Sequence, residues 1–399
     1  MLQGRIVLKR IALVFATACM LTVSEPPRAI AEETSFSTKI ERHGDVVLVP
    51  VTLGNKTYSF VLDTGASLTV FDNSLKPLLN KPLGEQLIGT LSLPSTIEKF
   101  ESPSYRVGPF PATHKDPVVT TDLSRFRQIT GHNIQGILGM SFLRDFVVQI
   151  DFDKGSVTLS RTLSDETDSK AVEIPLGQSR NGLHTIAGRI PAADQPLDVS
   201  FQVDTGASGV SLNVAQFRLL LDQKQLQIVG KTISSDLGSD RWDYKARLSS
   251  LSVDKFEHAN LLVSHTFSPQ QTSVMGLSYL SRFKVTFDFP NQKLLLEPGK
   301  QFRKRLEPNR SGIRLLRPEK ETVVYSVDEG SPAQTAGVQP GDRIVKINDL
   351  GADTSTPFML RNELDARPGS EIQLIFSRDG KSFKETLSIP LFEQIAGGQ

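Results

Sequence analysis

A single cysteine, Cys19, occurs in 399 residues, so no intrachain disulfide can form. Charge of one sign is equally scarce. The balance is 45 Lys+Arg against 44 Asp+Glu, a formal net charge of +1, which argues against a basic nucleic-acid binder. Long apolar runs are absent too. The longest, Ile11 to Val23, is short for a hydrocarbon core of about 30 Å, so a multi-span membrane protein is not expected. The six histidines, at 43, 114, 132, 184, 258 and 265, show no metal-ligand spacing, and neither a metal nor a cofactor is expected. Gly139-Met140-Ser141 lacks the second glycine of a nucleophile elbow, which argues against a serine hydrolase. With 38% apolar and 22% charged residues, the chain is too apolar to be wholly disordered. What remains is a soluble globular protein of two or three domains.

The first 31 residues read as a unit. Arg5, Lys9 and Arg10 precede the apolar run, and Ser24-Glu25-Pro26-Pro27 leads to Ala29-Ile30-Ala31. A charged start, a short apolar segment and a small-residue cleavage site describe a secretory signal peptide over 1–31. Export to the periplasm or the cell exterior is therefore expected, and a chain cut after Ala31 has no thiol chemistry left. Retention as an N-terminal membrane tether is the alternative. Lipid attachment at Cys19 after Ala16-Thr17-Ala18 fits less well, because the residues that follow stay apolar.

Beyond this segment the chain repeats itself. Asp-Thr-Gly-Ala-Ser occupies 63–67 and recurs at 204–208, each time after a strand-like run, Tyr58 to Leu62 and Val199 to Val203. At typical residue frequencies a given pentapeptide arises at a given position roughly once in a million, so two copies with the same flanks indicate an internal repeat. Gly136-Ile137-Leu138-Gly139-Met140 aligns with Ser273-Val274-Met275-Gly276-Leu277, and Asp151-Phe152 with Asp288-Phe289. Final alternating strands follow at Val157 to Leu159 and Lys293 to Leu295. The expectation is two copies of one strand-rich fold, with one short helix in each near Phe142 to Phe146 and Tyr279 to Phe283. Ser164 to Lys170 is the expected linker. Residues 32–45 are either a short prosegment or the lead-in to the first strand.

A basic stretch, Lys300 to Arg310, reads as a solvated linker, with an anionic surface partner as the alternative. A third pattern follows. Strands Val323 to Tyr325 and Ile344 to Ile347 bracket Gly330-Ser331-Pro332-Ala333 and Pro340-Gly341-Asp342, and strands Glu371 to Ser377 and Phe383 to Ile389 flank an Asp379-Gly380 turn. Ser331-Pro332 starts a short helix that Gly337 ends.

Two homologous lobes related by a pseudo-two-fold axis would bring Asp63 and Asp204 together. Two carboxyls about 3 Å apart do not both ionise easily, so they share one proton. The ionised member can take a proton from water while the other polarises a carbonyl, which hydrolyses a peptide bond without metal or covalent intermediate. Gly65 and Gly206 permit the tight turns. Thr64 and Thr205 are placed to bond across the junction, and Gly139 and Gly276 stand where chains pass closely.

Both lobes resemble the aspartic protease superfamily through the Asp-Thr-Gly loop and the later apolar-apolar-Gly motif. Their tandem order is similar to pepsin, and their size is closer to bacterial retropepsin-like domains. The C-terminal part resembles a PDZ domain through Gly330-Ser331-Pro332-Ala333 and Pro340-Gly341-Asp342-Arg343-Ile344. The resemblance implies a mainly β chain: two tandem retropepsin-like β-barrel lobes, 32–163 and 171–299, forming a bilobed aspartic protease, followed by a PDZ domain at 311–392. It implies catalytic Asp63 and Asp204, polypeptide substrates, and a peptide or protein C-terminus bound at Gly312-Ile313-Arg314-Leu315, with Arg314 replacing a usual glycine. A monomer is expected, with dimer pairing of lobes as the alternative. Ala66 and Ala207 replace the hydroxyl residue that usually follows the loop, which predicts a pH optimum nearer neutral than pepsin's. Flap candidates are Leu87 to Tyr105 and Ile228 to Tyr244, where Trp242 and Tyr244 either pack or touch substrate. The rival reading is a catalytically inactive peptide-binding protein of the same fold. Intact Asp-Thr-Gly in both lobes argues against it.

Overall fold

The computed structural model describes residues 34–40, 46–88, 95–163, 170–179, 182–193, 195–235, 240–266 and 272–391. The expected signal segment and all but Lys170 of the expected linker lie outside them. The chain is mainly β, two lobes followed by a PDZ domain.

In the first lobe Leu48–Leu53 turns at Gly54, φ +60°, into Lys56–Leu62, and the two strands pair antiparallel. The end of Lys56–Leu62 is apolar on both faces, because Phe60, Val61 and Leu62 are all buried. It pairs in parallel with the short strand Gly136–Leu138, which pairs antiparallel with Val70–Asp72 on its other side. The second lobe repeats this wiring. Leu197–Val203 buries alternate residues Val199, Phe201 and Val203, as a one-sided strand does. It runs parallel to Ser273–Met275, which is antiparallel to Val210–Asn213. In both lobes a three-residue strand is thus wedged between the strand entering the Asp-Thr-Gly loop and the strand leaving it.

One sheet joins the lobes. Its strand order is Ser35–Lys39, Ser156–Ser160, Val147–Asp151, Phe283–Asp288, Lys293–Pro298, Val172–Pro175, three strands from each lobe meeting at a central antiparallel pair. Gln149 and Thr286 face each other at the centre and share a 3.2 Å hydrogen bond. Residues 35–39, left open between prosegment and lead-in, are a strand of this sheet. One apolar core runs through both lobes. The PDZ domain has its own, built on Ile344, Leu374 and Phe376.

Helices depart from the expectation. The short helices are Met140–Leu143 and Leu277–Leu280, starting two residues earlier than expected. They begin directly after Gly139 and Gly276 because the next amides, of Met140 and Leu277, donate to the Ala66 and Ala207 carbonyls at 2.7 and 2.8 Å. Each lobe also has a second helix. Val214–Asp222 is capped by Asn213, whose side chain accepts from the Gln216 amide at 2.9 Å. Ser124–Thr130 ends at Gly131, φ +75°. At its start Asp122 Oδ1 accepts from the Ser124 amide at 2.8 Å, and the Leu123 amide donates to the carboxylate of Asp72 at 2.9 Å.

In the PDZ domain the strand order is Ile313–Leu316, Val323–Val327, Arg343–Ile347, Glu371–Arg378, Lys381–Ser388, which leaves Ile313–Leu316 at an edge. Asp379 and Gly380, φ +49° and +74°, make the expected tight hairpin turn. Ser331 caps the short helix Pro332–Thr335. A further helix, Pro357–Leu364, carries the same signature of hydroxyl cap and leading proline in Thr356-Pro357 and packs beside the edge strand.

Candidate active site

The wedge strands hold both loops. The Asp63 amide donates to the Leu138 carbonyl at 3.0 Å, and the Asp204 amide to Met275 at 3.1 Å. Each carboxylate is then turned back onto its own loop: Gly65 N–H reaches Asp63 Oδ1 at 2.7 Å, and Gly206 and Ala207 N–H reach Asp204 Oδ1 at 2.8 and 3.0 Å. Between the lobes the contacts are reciprocal. The Thr64 amide donates to Thr205 Oγ1 and the Thr205 amide to Thr64 Oγ1, both at 3.1 Å. The two hydroxyls pass their own protons to the Val203 and Leu62 carbonyls at 2.8 and 2.7 Å. The amide and the hydroxyl of each buried threonine are thereby used across the junction.

The glycines explain themselves by what a side chain would strike. A methyl group on Gly65 would fall 2.3 Å from the Asp204 carboxyl, and one on Gly206 would fall 2.4 Å from that of Asp63. Each lobe's glycine therefore lies flat against the other lobe's aspartate. Gly139 and Gly276 do the same one layer below, where a methyl group would sit 2.3 Å from the Leu68 carbonyl or 2.4 Å from that of Ala207. All eight residues expected at this site are brought together.

The carboxyls are hydrogen-bonded to one another. Burial, reinforced by the negative charge of Asp204, holds Asp63 well above the ordinary carboxylate range. Burial raises Asp204 as well, against hydrogen bonds from Asp63, Gly206, Ala207 and Gln202 that favour its anion. Raised together, the two carboxyls share one proton as a coupled pair. Gln202 was not singled out in the sequence. Its signal is a polar residue two places before the aspartate, where lobe one has the buried Val61.

Beneath the first loop, Thr69 gathers a hydroxyl cluster. Its Oγ1 accepts from Tyr105 at 3.3 Å and from the Gly139 amide at 3.4 Å, and lies 3.2 Å from Ser141 Oγ. Burial pushes the Tyr105 phenol up to about 12, so it stays a proton donor.

A cavity of about 520 Å³ opens beside the second loop, over residues 206–209. Val46 and the Ser124–Thr130 helix line it from lobe one, Lys245 and Ser278 from lobe two, and Ile313, Arg314 and Arg361 from the PDZ domain. Lys245 also reaches the loop: its Nζ lies 3.7 Å from where a Gly209 methyl would be, an ordinary contact distance.

The four expected peptide-binding residues take different places. Gly312, φ +81°, packs on Ser331, and Ile313 and Leu315 are buried in the PDZ core. The Ile313 amide already donates to Ser311 Oγ at 3.1 Å. Arg314 turns toward lobe two, pairing with Asp328 at 2.9 Å, donating to the Lys231 carbonyl at 3.0 Å and lying 5.6 Å over the Trp242 ring. Both flap candidates overlap hairpins, Pro82–Ile88 with Ser95–Phe100 and Leu226–Ser235 with Asp240–Val253. Of the histidines, His258 sits among Tyr279, Phe283 and Phe302, and burial pulls it down to about 4. Among the described residues no group of three His, Cys, Asp or Glu side chains is placed to hold a metal ion.

Residues 49–142 match the family described as aspartyl protease, and residues 309–391 match the PDZ domain family. The first match ends before the second Asp-Thr-Gly. A Mesorhizobium japonicum protein whose name places it with zinc metalloproteases, mll0638, is 36% identical over 74 residues, 18% of this chain and 20% of its own. Protease RseP of Yersinia pestis is 39% identical over 70 residues, 18% of this chain and 15% of its own. The chain thus spans a fifth or less of these relatives. With the two family matches lying on the two parts of the fold just described, the chain carries an aspartyl protease domain followed by a C-terminal PDZ domain.

Proposed function

We propose that the protein is an exported aspartic endopeptidase in which Asp63 and Asp204 form the catalytic dyad. The lobes are 32–163 and 171–299, with the PDZ domain at 311–392 and the segment 1–31 as the export signal. The observation that carries this reading is the reciprocal packing of Gly65 on the Asp204 carboxyl and of Gly206 on that of Asp63. It sets two carboxyls side by side at the junction of two lobes, and in this reading the proton they share rests on Asp63.

A water held between them loses a proton to Asp204 as its oxygen attacks the scissile carbonyl carbon, and the Asp63 proton moves to the carbonyl oxygen. The carbon becomes tetrahedral with two hydroxyl groups. Collapse breaks the C–N bond: the proton on Asp204 passes to the leaving nitrogen and one hydroxyl proton returns to Asp63, so the dyad ends as it began. The zinc chemistry in the name of the Mesorhizobium japonicum relative is not carried over on a match of such extent, and no step here uses a metal.

Because burial raises both carboxyls, the singly protonated window lies at higher pH than for exposed aspartates, consistent with an optimum nearer neutral than pepsin's. The substrates are polypeptides, a chain terminus binds at the PDZ domain, and one chain supplies the whole dyad as a monomer. The test is to incubate residues 32–399 with an unfolded protein from about pH 3 to pH 8 and read new termini by mass spectrometry. Cleavage that Asp63→Asn and Asp204→Asn both lose supports the dyad. Folded protein that cleaves nothing at any pH removes it.

A further inference from the structure

The face of the PDZ domain that would receive a peptide is turned onto the protease lobes. The Ser124–Thr130 helix touches both the edge strand Ile313–Leu316 and the helix Pro357–Leu364, so it lies across the slot between them. Its last carbonyls find donors there. The Arg317 amide, just past the edge strand, donates to the Gln128 carbonyl at 2.8 Å, and the Arg361 guanidinium donates to the Ile129 carbonyl at 2.7 Å. These carbonyls lack partners within so short a helix, and a cation at that end also suits the helix dipole. Arg125 lies 4.7 Å over the Tyr325 ring on the second strand of the PDZ sheet. Gly131 completes the contact, since a methyl group there would strike the Pro357 ring at 2.4 Å.

The helix itself is firmly fixed to lobe one. Asp72 accepts from the Leu123 amide and from Arg127, both at 2.9 Å, and Arg127 also donates to the Ile134 carbonyl at 2.9 Å. On the far side of the cleft Arg314 fastens the PDZ domain to the Leu226–Val253 hairpin through the Lys231 carbonyl and the Trp242 ring. The PDZ domain therefore bridges the two lobes, and the cavity beneath it has the 206–209 loop as its floor.

We propose that the PDZ domain is a latched lid over the cleft, held by the Ser124–Thr130 helix, and that a peptide strand adding along Ile313–Leu316 competes with this latch. The competition follows from shared parts: an added strand needs the donors at the open edge and the slot beside Pro357–Leu364, and the helix lies on both. In the latched state only the fraction of molecules with a free slot can bind, so apparent affinity falls by that fraction. The inference rests on the catalytic reading only where it speaks of cleavage.

Trp242 is the chain's only tryptophan, half exposed with Arg314 over its ring, so it reports the lid without reference to activity. Arg125→Ala lies outside the PDZ domain and removes one arm of the latch, and Arg361→Ala removes another. Acrylamide quenching of Trp242, binding of a valine-terminated pentapeptide with a free carboxylate, and cleavage of an unfolded protein are compared with the full chain. Both variants are expected to quench more readily, and Arg125→Ala to bind the pentapeptide about tenfold tighter and cleave about tenfold faster. Unchanged quenching and unchanged pentapeptide affinity in both folded variants would overturn the lid. Raised quenching and affinity with no cleavage by any form would keep the lid and remove the catalytic reading.

Discussion

Two places before Asp63 stands Val61, sealed in the core, whereas two places before Asp204 stands Gln202, whose side chain reaches the carboxyl. Six residues after each aspartate the contrast continues. Thr69 ties the first loop to Ser141, Tyr105 and the Gly139 amide, while its counterpart Val210 offers no hydroxyl and the Gly276 amide turns to the Gly209 carbonyl at 3.0 Å. The hydroxyl of Ser278, the counterpart of Ser141, is buried with no hydrogen-bond partner among the described residues. The two loops share their backbone wiring, glycine contacts and threonine exchange. They differ in the side chains that reach the carboxyls and pack beneath the loops. A pair of identical motifs is thereby made into two unlike carboxyls, one suited to hold a proton and one to lose it.

The largest effect should come from what the lobes share. Gly65→Ala and Gly206→Ala each push a methyl group into the opposite carboxyl, and each is expected to lower kcat by about 100-fold or more in a protein that still folds. A drop in only one of them would show that the junction is not reciprocal, and steady-state kinetics beside a thermal melt will tell.

Next comes the cost of keeping Asp63 buried. Its folded value lies above its unfolded one, so the stability this group supplies is complete below the ordinary carboxylate range and is lost as pH rises through the folded value. Asp63→Asn should therefore be more stable than the parent at pH 7, by about 1 kcal/mol or more, with the gap closing toward low pH. Denaturant melts across pH measure it; equal stability at every pH would contradict the placement of the proton.

Gln202→Leu is the change that makes lobe two like lobe one. Without that hydrogen bond the Asp204 anion is less favoured, so the acid limb of the pH–rate profile should move to higher pH, with roughly a two- to tenfold loss of kcat/KM below the optimum. An unmoved limb would mean that Gln202 does not tune the dyad. The smallest difference should separate Ser141→Ala, expected to cost about 1 kcal/mol, from Ser278→Ala, expected to be near neutral. Equal losses in denaturant melts would show that Ser278 has a partner.

Residues whose role is local could be read directly from the sequence. Asp-Thr-Gly after an apolar strand, a later glycine after two apolar residues, and a serine or threonine before proline each carry their geometry in a few adjacent positions. Asn213, three before Gln216, carried the signal of the Val214–Asp222 helix in the same way. The Ser124–Thr130 helix carried a local signal only in Asp122, two before Ser124, while its tie to Asp72 comes from a distant strand. Arg314 was visible as a departure from the PDZ pattern. That it reaches Trp242 depends on how the PDZ domain sits on the lobes, and no local pattern encodes that.

The central claim is a dyad built within one chain from unlike lobes. It is tested most directly by assaying the parent, Asp63→Asn, Asp204→Asn and an equimolar mixture of the two variants on the same unfolded substrate. Cleavage by the parent alone is the expected result. Cleavage retained by either variant, or restored in the mixture through pairing between chains, would contradict it.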